Sequence, residues 1–210
     1  MVERLLCKQD VRSSILLGST SSVTGGFRMT TPQALSEADR RIVASWAADC
    51  AERVLPLFEA EAAADDRARD GIDRARAFGR GELDTAEQIR IRFVAGRAAG
   101  SAKSPAAVAA ARAAGQAAGV AHMGAHALGA AAYAAKAAAL AAGDPESARR
   151  EEVQWQLQRL TPEARDALSR LPLLGTDSAG PLGPGLLTTG VLATTIREIQ
   201  AALGASRPTG

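Results

Sequence analysis

An all-α fold is predicted for this chain: an antiparallel multi-helix bundle of about six to eight helices, flanked by disordered N- and C-terminal segments. Three observations carry the expectation. Apolar residues recur at helical spacing through most of residues 37–171. A cap-proline start appears three times, in Ser104-Pro105, Asp144-Pro145-Glu146 and Thr161-Pro162-Glu163. No run of alternating β-branched residues is long enough for a strand.

Taken in order, residues 1–34 show no helix period, and residues 1–28 lack the charged and apolar regions of a signal peptide. Met29 is followed by Thr-Thr-Pro-Gln-Ala-Leu-Ser-Glu-Ala-Asp, a start that runs straight into a capped helix. Residues 1–34 are therefore expected to be a disordered extension, or to include sequence upstream of a true initiator at Met29. Ser36-Glu37-Ala38-Asp39 caps a first helix over about 37–60, whose stripe is Ile42, Val43, Trp46, Cys50, Val54 and Phe58. Pro56 is expected to bend it or end its regular part. Asp65-Asp66 opens a second helix that stops at Gly79-Arg80-Gly81, and Asp84-Thr85 a third that runs through Val94. The alanine run from Ala106 to Ala142 is expected to break near Gly124 to Gly129, where glycines weaken a helix. Two more helices follow the Asp144 and Thr161 starts. Residues 172–210 look like a Gly/Pro-rich linker and tail with one possible short helix over 191–203.

Composition narrows the function classes. The chain has 210 residues, with 47% hydrophobic residues but only 3% aromatic ones, so alanine and leucine must carry the packing. Lys+Arg 25 against Asp+Glu 23 leaves a formal charge of +2, with no basic tract to suggest nucleic acid. The alanine run is too weakly apolar for a membrane span and is interrupted by Arg112, His122, His126 and Lys136. A soluble, cytoplasmic protein is expected, with neither nucleic acid nor membrane as partner and no cofactor. Cys7 and Cys50 make no disulfide framework.

Three constellations are chemically suggestive. His122 and His126, the chain's two histidines, are four apart and are expected to share one helix face. That is the geometry of a zinc helix, but Met123, Gly124 and Ala125 leave no His-Glu-x-x-His glutamate, and no metal site is assigned. The pair is either a site or a buried polar anchor. Asp49 and Glu52 are three apart on the first helix: an acid-base pair if burial separates their pKa values, a solvated arginine-bonded face if not. In Asp65-Asp66-Arg67-Ala68-Arg69-Asp70 one aspartate is expected to cap the second helix, and one arginine to reach the first helix's carboxylates. With Arg112 on the alanine helix, the binding candidates are Asp49, Glu52, Asp66, Arg69, Arg112, His122 and His126. No P-loop, nucleophile elbow, dinucleotide fingerprint or CxxC pair is present in the sequence.

Three stretches together resemble a known family: Asp49-Cys50-Ala51-Glu52-Arg53-Val54-Leu55-Pro56-Leu57-Phe58-Glu59, Asp65-Asp66-Arg67-Ala68-Arg69-Asp70-Gly71-Ile72, and Ala111 through Met123. They are similar to bacterial immunity proteins with an Imm5-like helical domain, here spanning about residues 35–171. The resemblance implies a small helical protein that protects its producer from a toxin. Gln116 stands where the family commonly has a histidine, and Ala68 where a proline usually separates the two arginines. The Ala/Arg/Gly bias fits a high-GC, actinobacterial source.

Two functions follow as expectations. One is an immunity-type protein that neutralises a cognate toxin, or confers self-protection, without turnover. The alternative is a small-molecule enzyme or sequestering protein of a secondary-metabolite pathway, for tailoring or self-resistance, with His, Asp and Arg in an inter-helix pocket. Convergence of His122, Asp49 and Arg69 on one cavity would favour the alternative.

Overall fold

The computed structural model describes residues 31–205. The expectations for residues 1–30, including the start at Met29, and for the tail after residue 205 lie outside the described residues. Within them the structure is helical, and no strand occurs among the described residues.

Helix α1 (Glu37–Glu59) starts where the Ser36 hydroxyl accepts the Asp39 N–H at 3.1 Å, with Glu37 and Asp39 in the first turn. Pro56 sits inside its last turns, and the helix continues to Glu59. Its buried face includes Val43, Ala47, Cys50, Ala51, Val54, Leu55 and Phe58. Helix α2 (Arg67–Gly79) packs on α1 and buries Ala68, Ile72, Ala75 and Phe78. The expected third helix is two pieces, α3 (Thr85–Ile91) and α4 (Phe93–Arg97), separated at Arg92 and followed by a 3-10 turn over Ala98–Ser101.

Helices α5 (Pro105–Gly119) and α6 (His126–Ala141) form the centre of the fold. α6 lies against α1, α5, α7 and α9 and is buried almost along its whole length, from Ala127 to Ala135 and again at Ala137 and Ala139. Single methyls let these neighbours approach closely. A Cβ added at Gly129 would lie 2.2 Å from Gln116 Oε1, and one at Gly119 would lie 3.0 Å from the His126 ring. These glycines, which looked like helix weakeners, are points of α5–α6 contact.

The alanine run breaks at Val120–Ala125, earlier than expected. The reason is remote in sequence. Gly124 N–H donates to the Ala34 carbonyl at 3.1 Å and Ala125 N–H to the Gln33 carbonyl at 3.0 Å, so a strap at residues 33–34 satisfies two donors of the turn that leads into α6.

Helix α7 (Pro145–Gln158) and helix α8 (Pro162–Ser169) begin at the expected caps, Asp144 and Thr161. Helix α9 (Gly190–Ala205) buries Leu192, Ile196, Ile199 and Leu203 and packs on α6. The stretch expected as a linker is packed as well, with Leu174, Leu182 and Leu187 buried. Gln33, expected to belong to the N-terminal extension, holds it: its amide donates to Asp177 at 2.6 Å and to the Ala179 carbonyl at 2.7 Å, and accepts the Leu182 N–H at 2.9 Å. Composition misled at both ends, because Gly and Pro set local backbone freedom while burial depends on what lies across the gap.

Candidate functional site

On the α1–α2 face, Asp49 and Glu52 point the same way, as their spacing predicts. Their partner is Arg76, which donates to Asp49 at 2.7 Å and closely to Glu52. The Arg76 guanidinium holds the Glu52 carboxyl below the usual carboxylate range, mainly by that hydrogen bond. Of Arg67 and Arg69, one of which was expected to reach the first helix's carboxylates, Arg69 pairs with Glu59 at the end of α1 at 2.6 Å, and neither meets Asp49 or Glu52. Arg76 was missed because it lies on the last turn of α2, outside the Asp/Arg cluster. Asp66 occupies the N-cap position of α2, but its side chain makes no capping bond. Asp65 accepts from Arg67 at 2.5 and 2.7 Å, and this holds its carboxyl far below the ordinary range.

The histidines do not share a helix face. His122 lies in the turn between α5 and α6, and His126 is the first residue of α6. The expectation of a one-face pair fails because the helix is interrupted between them. His126 Nδ1–H donates to Gln116 Oε1 at 2.9 Å across the α5–α6 contact. Burial, with the positive fields of His122 and Arg92, depresses its pKa to about 3, so the ring is neutral at physiological pH. Arg112 lies 6.0 Å over the Tyr133 ring, joining α5 to α6. Cys50 is fully buried, and burial pushes its thiol up. Among the described residues no three His, Cys, Asp or Glu side chains gather into a group able to hold a metal.

A cavity of about 190 Å³ opens between α2, α3, α4 and α5. Its apolar wall includes Phe78, Ile91, Val94 and Ala117, and its polar groups are Asp70, Arg74, Gln88 and Arg92. None of the seven residues singled out from the sequence lines it. His122, Asp49 and Arg69 therefore do not converge there. Gln88 carried one sequence signal: it stands three residues before Ile91 on the inward face of α3, a polar residue at a core position.

A family model described as "Imm-5 like putative immunity protein" matches residues 33–163. The chain belongs to this Imm-5 like family. The match runs from the Gln33 strap through α7 into the start of α8, and so takes in the α1–α2 face, the α5–α6 turn and the cavity. No curated protein and no solved structure matches the chain. Within the Imm-5 like domain, no helix is long and apolar enough to cross a membrane. Gln116 and His126 meet in the middle of it, so the position where the resemblance points to a histidine is the one that bonds the α6 histidine.

Proposed function

We propose that this Imm-5 like protein neutralises a cognate protein toxin inside the producing cell by stoichiometric binding, without turnover. The observation that carries the reading is the family match, which covers the helices that build the core. The surface supports it. On α4, Phe93 and Val94 are 40% and 38% exposed beside the exposed Arg90 and Arg97, with the Arg92 guanidinium 4.2 Å over the Phe93 ring. Aromatic and arginine side chains are the types that dominate binding energy at protein interfaces.

The test is co-expression with a toxin domain encoded beside this gene, read as growth, followed by light scattering of the purified pair. Growth rescue with a one-to-one complex, and loss of both in Phe93→Asp, is expected. Full protection at a small fraction of equimolar protein would indicate turnover and overturn the reading; so would rescue without any complex.

A further inference from the structure

We propose that the outward stripe Arg90, Phe93, Val94 and Arg97 is the docking face for a partner protein whose own contact surface is acidic around an apolar centre; on the toxin-neutralisation reading, on which this assignment rests, that partner is the toxin domain. The four residues stand at i, i+3, i+4 and i+7, and all four are exposed. Helical phase carries through the break between α3 and α4, because Arg92 keeps φ −51° and ψ −25°. Such spacing of a helix's large apolar residues normally marks the side that faces the core. Here the core side carries single methyls instead: Ala95 and Ala98 are buried, while Phe93 and Val94 face solvent. Among the described residues these two are the one sequence-adjacent pair of exposed large apolar side chains. Isolated exposed apolar residues are ordinary, but an adjacent pair bracketed by arginines has the layout of an interface centre and its polar rim.

Charge names the partner's chemistry. On α2, Arg67, Arg69, Arg74 and Arg76 each pair with a carboxylate. Arg90 and Arg97 pair with none among the described residues, and Glu87, the carboxylate nearest to Arg90 in sequence, is held by Arg74 at 2.7 Å. The sequence makes this systematic: from Gln88 to Gly143 there is no Asp or Glu, while Arg90, Arg92, Arg97, Lys103, Arg112 and Lys136 fall inside that stretch. A chain of formal charge +2 thus gathers its positive excess on the segment that contains the stripe. A partner with carboxylates flanking an apolar patch would give Arg90 and Arg97 the counter-charges that the fold withholds. Nucleic acid fits less well, because tight polyanion binding takes on the order of 6–10 phosphate contacts, whereas the stripe offers two arginines around an apolar centre.

The test uses the full chain and the toxin domain encoded beside this gene, inactivated by substitution. Association and dissociation rates are read by surface plasmon resonance between about 50 and about 500 mM NaCl. Association should slow about tenfold across that range, because steering between opposite charges is screened. Arg90→Glu with Arg97→Glu should slow association about tenfold at low salt and flatten its salt dependence. Phe93→Ala should instead speed dissociation about tenfold. The same double reversal at Arg150 and Arg197, exposed on α7 and α9, carries equal net charge and should change association less than about twofold. Absence of any complex would fail the neutralisation reading itself, and this docking face with it. A tight complex whose rates ignore salt, the Arg90 and Arg97 reversal and Phe93→Ala, in variants that unfold in urea like the native chain, would overturn the docking face alone. Binding of a DNA duplex or of phosphatidylglycerol vesicles that the Arg90 and Arg97 reversal abolishes, with the toxin complex untouched, would give the stripe to a polyanion and also overturn it.

Discussion

The α5–α6 centre and the α2–α3–α4 flank are built from similar small residues, yet one is closed and the other leaves a cavity. At the centre, α6 is flanked on several sides by α1, α5, α7 and α9, and methyl groups meet methyl groups with glycines where a side chain crosses. There His126 bonds Gln116, and Gln33 bonds three groups of the 177–182 segment. At the flank, α3 is only seven residues long, the chain breaks at Arg92, and α4 is held against α5 by a glycine crossing. A short, interrupted helix cannot bring enough side-chain volume to fill the gap left by alanines on α5. Small residues give tight packing only where long helices face each other on several sides.

The largest expected effect breaks the closed side. Leu128→Ala, at a fully buried α6 position, should cost about 2–5 kcal/mol in urea unfolding, whereas Val94→Ala, 38% exposed, should cost under about 1 kcal/mol. Equal losses would dissolve the contrast. Next is Gly115→Ala, whose Cβ would lie 2.7 Å from Gly96 Cα. It should destabilise by about 1–3 kcal/mol, and hydrogen exchange should show the loss concentrated on α4. Uniform loss across the chain would place the crossing in the common core instead.

A pH experiment sharpens the comparison at the α5–α6 contact. His126 is neutral in the fold, with its pKa lowered from 6.5 to about 3, while the unfolded ring protonates near 6.5. Its contribution is therefore complete above about pH 6.5, and it falls on acidification by up to about 1.4 kcal/mol per pH unit towards pH 3. Denaturation midpoints between pH 6.5 and 4.5 should show that slope in the native chain and lose it in His126→Gln. The smallest effect is expected on the α1–α2 face. Glu52→Gln should change stability by less than about 1 kcal/mol, because the Glu52 side chain is 42% exposed and Arg76 keeps Asp49. A larger loss measured by urea unfolding would assign that network to the core.

The pairing on one face of Asp49 and Glu52 was legible because both lie within one uninterrupted helix, where three residues nearly complete a turn. The same rule failed for His122 and His126. Their spacing is as regular, but the turn at Val120–Ala125 is stabilised by backbone bonds to residues 33 and 34, and local spacing carries no information about a strap from the other end of the chain. Arg76 and Gln88 were equally hidden, since each matters for what it meets across an interface.

By itself the sequence determined the helical class, the helix starts at Ser36, Asp84, Ser104, Asp144 and Thr161, and the Imm-5 like membership, all of which rest on neighbours in sequence. Only the tertiary structure decided where the alanine run breaks, that residues 172–205 belong to the packed fold, which arginine meets which carboxylate, and where a cavity opens. The physical reason is that caps and periodicity are satisfied within a turn or two of helix. Partner choice and empty volume are set by which surfaces remain when several helices compete to cover the same methyl groups.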